Sequence, residues 1–174
     1  RLHLTFETRA PNLDERPLPG ESISDMALRL STMKAEAVAT DFPDALIIGS
    51  DQSAALNGQI LGKPGNHENA VRQLKECRGR TIVFHSALCL LNTQTGRKQT
   101  RNVQTHVRFR NVSDEEIERY LRLEQPYDCA GSAKTEGLGL ALIAELQSND
   151  PTAIIGLPLI ALTDMLRAEN YPIL

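Results

Sequence analysis

The chain has 174 residues, a length that suits one domain burying about two thirds of its unfolded surface, so it needs no disulfide or structural metal to fold. Its 19 basic and 22 acidic side chains give a formal charge of -3, which argues against a general nucleic-acid or membrane surface. Three widely spaced cysteines, Cys77, Cys89 and Cys129, form no CxxC pair, and no apolar run approaches the roughly 18 residues of a membrane span, so reduced thiols in a cytoplasmic protein are expected.

Leu2, Leu4 and Phe6 alternate with polar residues and predict a first strand with one buried face. A loop rich in proline follows and carries Asp14 and Glu15. Ser22 or Ser24 can cap a helix running to about Thr40, with Met26, Leu30, Met33 and Ala37 on its inner stripe. Ala45 to Gly49 reads as a buried strand, which would leave Asp51 at its end. Asn57-Gly58 predicts a type I′ hairpin, because that turn needs positive φ at both positions.

Asn66 caps a second helix to about Arg78, with Gly79 as its left-handed stop. Thr81 to Leu91 predicts a long strand, turned near Thr95-Gly96 and answered by a strand through Val107 and Phe109. Ser113 and Glu116 form a capping box for a helix from Asp114 to Leu123. Beyond it come a glycine-bearing loop from Gly131 to Gly139, a short apolar run to Leu146, and a last helix opened by Pro158. The pattern predicts an α/β or mixed α+β protein: one domain, a twisted mixed sheet flanked by helices, and two lobes around a cleft.

Most chemical motifs are absent. The four histidines lack metal-ligand spacing, Gly49 to Ser53 is no nucleophile elbow, and the later glycines do not match a dinucleotide fingerprint. Asp51 is different, because a buried carboxylate costs several kcal/mol unless it is paired or coordinated. Lys63, between Gly62 and Pro64, is returned towards it by the hairpin, and Lys34 projects beside the apolar stripe of the preceding helix. An acid with lysines suits polyphosphate chemistry: the lysines offset phosphate charge, and the carboxylate can hold a divalent cation or orient a water.

IIGSDQ (47–52), GKP (62–64), Asp14-Glu15, AGS (130–132), EGLG (136–139) and GLP (156–158) together resemble the Maf family of nucleoside triphosphate pyrophosphatases. The resemblance runs from Phe6 to Leu166, with the motifs in the family's order. It implies a single inosine-triphosphatase-like domain over residues 1–174. It also implies a first strand ending in an S-x-S-x-R-R loop just before Arg1, which this sequence does not contain.

By the same resemblance the reaction cleaves a nucleoside triphosphate between its α and β phosphorus with magnesium or manganese. Asp51 matches the catalytic aspartate and, with Glu15, the metal ligands; Lys34, Gln52, Lys63 and Glu136 match substrate-binding positions. SDQ together with GSAKTEG resembles the branch acting on 7-methyl-GTP, a house-cleaning role against modified nucleotides. The other readings are a dTTP/UTP-preferring enzyme or a nucleotide-binding regulator linked to cell division. The expected partner is the nucleotide itself, with no nucleic-acid polymer or membrane and with a homodimer compatible.

Overall fold

The computed structural model describes all of residues 1–174. In chain order it contains α1 (Ile23–Glu36), β1 (Leu46–Leu56), β2 (Gln59–Leu61), α2 (His67–Cys77), β3 (Thr81–Asn92), β4 (Lys98–Phe109), α3 (Asp114–Glu124), β5 (Ile143–Ser148) and α4 (Leu159–Ala168). The strands form one sheet in the order β2-β1-β3-β4-β5. The mixed α/β class is as expected, but every strand pair is antiparallel, where a mixed sheet was predicted. No helix is long and apolar enough to cross a membrane.

Local signals account for most boundaries. Ser22 Oγ accepts from Asp25 N, Asn66 Oδ1 from Asn69 N, and Ser113 with Glu116 completes the capping box. Asn57 and Gly58 take φ of 50° and 79°, which closes the β1–β2 hairpin as a type I′ turn requires.

Three expectations are corrected. Residues 2–6 form no strand: His3 sits at φ 54°, outside the extended region, and no backbone–backbone hydrogen bond involves residues 1–17. The alternation of Leu2 and Leu4 instead reflects their packing on the apolar cluster around α4. The inner stripe of α1 is Met26, Ala27, Leu30, Ser31 and Ala35, with Ala37 exposed, because small residues are needed where this helix meets the sheet. Finally, β1 does not stop at Gly49; it runs to Leu56, so Asp51 lies in mid-strand, opposite Ala87 of β3.

The two sheet faces differ in kind. Ile47, Gly49, Asp51 and Ser53 of β1 share a face with His85, Ala87, Cys89 and Leu91 of β3, and α1 packs there. The opposite face carries two apolar clusters at opposite ends of the strands. One joins Ala54, Leu56, Ile82, Phe84, Val107 and Phe109 to α2 and α3; the other joins Leu88 and Leu90 to α4. Each fully buried large side chain contributes about 1.5–3 kcal/mol. These clusters lie side by side under one continuous sheet, and Asp51 lies on the other face rather than between them.

Gly49 sets the distance between α1 and β1. A Cβ there would lie 2.1 Å from Ser31 O and 2.7 Å from Ala35 N, both backbone atoms of α1. Neither can yield without moving the helix. Gly49→Ala is therefore expected to destabilise the fold by about 2 kcal/mol or more, in the range of overpacked cores. Urea unfolding measures this directly, and a change below about 0.5 kcal/mol, the usual spread of neutral surface substitutions, would show that α1 slides freely.

Candidate active site

Asp51 points from mid-β1 towards α1 and is 8% exposed. Lys34 Nζ donates to Asp51 Oδ1 at 2.8 Å and lies 2.8 Å from Glu15 Oε1, so one ammonium joins two carboxylates. Ser53 Oγ donates to the second oxygen of Asp51 at 3.2 Å. Burial alone would lower the Lys34 pKa, but the hydrogen bonds from its ammonium to Asp51 and Glu15 outweigh that and raise it. Lys34 is therefore a permanent cation at neutral pH.

The loop that delivers Glu15 is tied to the same helix. Arg29 donates to both carboxylate oxygens of Glu21, at 2.6 and 2.7 Å, and to Arg16 O at 3.2 Å. Asp14 is turned away from the cluster into its own pair with Arg16. The result is a carboxylate on a rigid strand, a cation on a helix and a second carboxylate on a loop. The two oxygens already converge on one cation, and they are hard donors. No group of three or more His, Cys, Asp or Glu side chains comes together as a metal cage, and the Asp51 and Glu15 carboxylates are the hard oxygen donors present in this cluster.

The same face holds a polar group that the sequence reading missed. His85 is the cross-strand partner of Ser53, and Asn102 pairs through Ala87 with Asp51. Asn102 Nδ2 lies 2.9 Å from Ser24 Oγ and 3.0 Å from His85 Nδ1. With the amide assigned this way, His85 Nδ1 accepts and its proton sits on Nε2. Burial, then His106, lowers the His85 pKa, so the ring is neutral at pH 7. Asn102 Oδ1 is buried without a partner, a cost of about 1–3 kcal/mol. Only strand register brings these residues together, and nothing in their local sequence announces it.

The other expected residues lie apart. Gln52 faces the opposite side of the sheet, where its Nε2 donates to Ser86 Oγ, Ala153 O and Ile154 O between the two apolar clusters. The β1–β2 ladder ends at Leu61, and Lys63 beyond it is exposed and makes no ion pair with Asp51. Glu136 is exposed, in a segment near α3 whose preceding turn at Gly131 packs on Phe84 and Ala54. Asp51, Lys34 and Glu15 are thus assembled; Gln52, Lys63 and Glu136 are not in contact with them.

Against known proteins, residues 1–169 match the Maf-like protein family. A protein of Cupriavidus pinatubonensis named 7-methyl-GTP pyrophosphatase is 59% identical over 172 residues, covering 99% of this chain and 86% of that protein. Proteins with the same name from Thiobacillus denitrificans and Ralstonia nicotianae are 59% and 57% identical, covering 100% and 99% of this chain and 87% and 89% of theirs. With a match that runs almost from end to end, this chain belongs to the Maf-like protein family.

Proposed function

We propose that this chain is a nucleoside triphosphate pyrophosphatase that converts 7-methyl-GTP and water to 7-methyl-GMP and pyrophosphate. The name shared by the full-length relatives supports the substrate, and the Lys34–Asp51–Glu15 cluster supports the chemistry. Asp51 accepts the proton of the attacking water as its oxygen bonds to the α-phosphorus and the bond to the bridging oxygen breaks. Lys34 and Lys63 offset charge on the triphosphate, and Lys63 is free of any ion pair that would compete. Asp51 and Glu15 are the residues that would hold a divalent cation, magnesium or manganese, which supplies charge neutralisation at the phosphates. Gln52 acts from the other face by fixing β1.

Glu136 reads the base in this proposal. A carboxylate is acceptor-only, whereas the guanine edge presents two donors, N1–H and the exocyclic amine. The negative charge also suits a base made cationic by methylation. Thymine and uracil place carbonyl oxygens beside a single N3–H, which Glu136 would repel.

A pyrophosphate-release assay over common and methylated nucleoside triphosphates tests the reading as a whole. Preference for UTP or dTTP would replace the substrate but keep the reaction, and nucleotide binding without release would reduce the chain to a regulator. Asp51→Asn is expected to cut turnover by about 10²-fold or more while the circular dichroism spectrum is unchanged. Retention of more than half the activity would make Asp51 a structural residue only. Glu136→Gln is expected to move the kcat/KM preference for 7-methyl-GTP over UTP by at least about tenfold, the value of paired hydrogen bonds to a charged group. A preference that stays within about twofold would put Glu136 outside the base pocket.

A further inference from the structure

Glu136 sits on a turn that two side chains of α3 clamp at both ends. Tyr120 and Glu124 are one helical turn apart and share a face. Tyr120 Oη donates to Ser132 O at 3.1 Å and accepts from Lys134 N at 3.0 Å. Burial pushes the Tyr120 phenol up to about 12, so it keeps the proton it donates. Glu124 accepts from Leu138 N at 2.9 Å and pairs with Lys134 Nζ at 3.1 Å.

The segment between these anchors is closed on itself. Gly137 N and Gly139 N both donate to Lys134 O at 3.1 Å. Gly139 is required by shape, because a Cβ there would lie 2.4 Å from the backbone oxygen of Lys134, whereas one on Gly137 would lie 2.8 Å from Glu124 Oε1 and press on the carboxylate that pins the turn. Within this frame Lys134 is engaged by Glu124 while Glu136, two residues on, makes no hydrogen bond and no ion pair. The backbone that carries this unpaired carboxylate is thus fixed in place before any ligand arrives. The nearby cation that could have neutralised it is drawn off.

From this we infer that Tyr120 and Glu124 are positioning residues for base recognition, with Glu124 both pinning the turn and diverting Lys134 from Glu136. The inference rests on the reading that Glu136 contacts the base. Removing Glu124 frees Leu138 N–H, lets Lys134 swing to Glu136, and blurs the position of the carboxylate. Binding of the base should suffer, whereas the step at Asp51, on the α1 face of the sheet, should not.

The test compares Glu124→Ala, Glu124→Gln, Glu136→Gln and the double variant Glu124→Ala/Glu136→Gln, with kcat and KM for 7-methyl-GTP and UTP and amide exchange at Leu138. Glu124→Ala is expected to raise KM for 7-methyl-GTP by about tenfold with kcat within about twofold, and to speed exchange at Leu138. Glu124→Gln, whose amide oxygen can still accept from Leu138 N–H but which no longer holds Lys134 by charge, should return exchange at Leu138 towards the parent rate while recovering only part of the preference. In the Glu136→Gln background, Glu124→Ala should leave the preference unmoved.

If Glu136→Gln collapses the preference but Glu124→Ala does not, the positioning role is overturned and the base reading survives. If Glu136→Gln itself changes nothing, the base reading falls and takes this inference with it. A fall of kcat in step with melting temperature in both Glu124 variants would reduce Glu124 to a general structural residue and overturn the inference as well.

Discussion

The contact of α1 with β1 through Gly49 is the constraint from which the active face follows. With no side chain on Gly49 and only a methyl on Ala35, helix backbone rests against strand backbone. At that distance the stem of Lys34 reaches its ammonium to Asp51, and a carboxylate that is 8% exposed acquires the partner it needs. The ammonium then recruits Glu15, and the Arg29–Glu21 pair secures the rest of that loop to the same helix. A side chain at position 49 would separate the strand from the helix and dissolve the cluster at its first link.

The sheet separates the polar face from the apolar bulk by simple alternation. Asp51 and Ser53 point one way along β1, while Ser50, Gln52 and Ala54 point the other. The opposite face is not uniformly greasy, because Ser50, Gln52 and Ser86 bind the carbonyls of Ala153, Ile154 and Gly156 between the two apolar clusters. Those bonds satisfy a run of loop carbonyls that would otherwise be buried without donors. The amide of Gln52 thus stabilises the strand that carries Asp51 from behind.

Legibility in the sequence followed the range of the interactions. Caps and turns are local, so Ser22, Asn66, the Ser113–Glu116 box and Asn57-Gly58 could be read directly. The length of β1 could not: a Ser-Asp-Gln-Ser stretch breaks its apolar run, and only the ladder to β3 shows that the strand continues. Leu2 and Leu4 misled in the opposite sense, since burial against a helix cluster produces the same alternation as a strand. Asp51 was found because a buried charge demands an explanation and Lys34 because it projects beside the apolar stripe of α1, whereas Glu15 was implied only by the family resemblance. His85 and Asn102 were missed because their meaning lies in cross-strand register, and the resemblance that pointed to Gln52 carried no information on which face of β1 its amide occupies.

The chain before α1 is attached differently from everything else. Its 17 leading residues contribute no backbone–backbone hydrogen bond, so Glu15 is held to the body by side chains alone. Parting Glu15 from Lys34 breaks one contact between a half-exposed carboxylate and a largely buried lysine, whereas freeing Asp51 requires the central ladder to unzip. The two carboxylates that share one lysine are therefore held by different parts of the fold. A change at Glu15 can be confined to its loop, whereas a change at Asp51 is a change in the sheet itself.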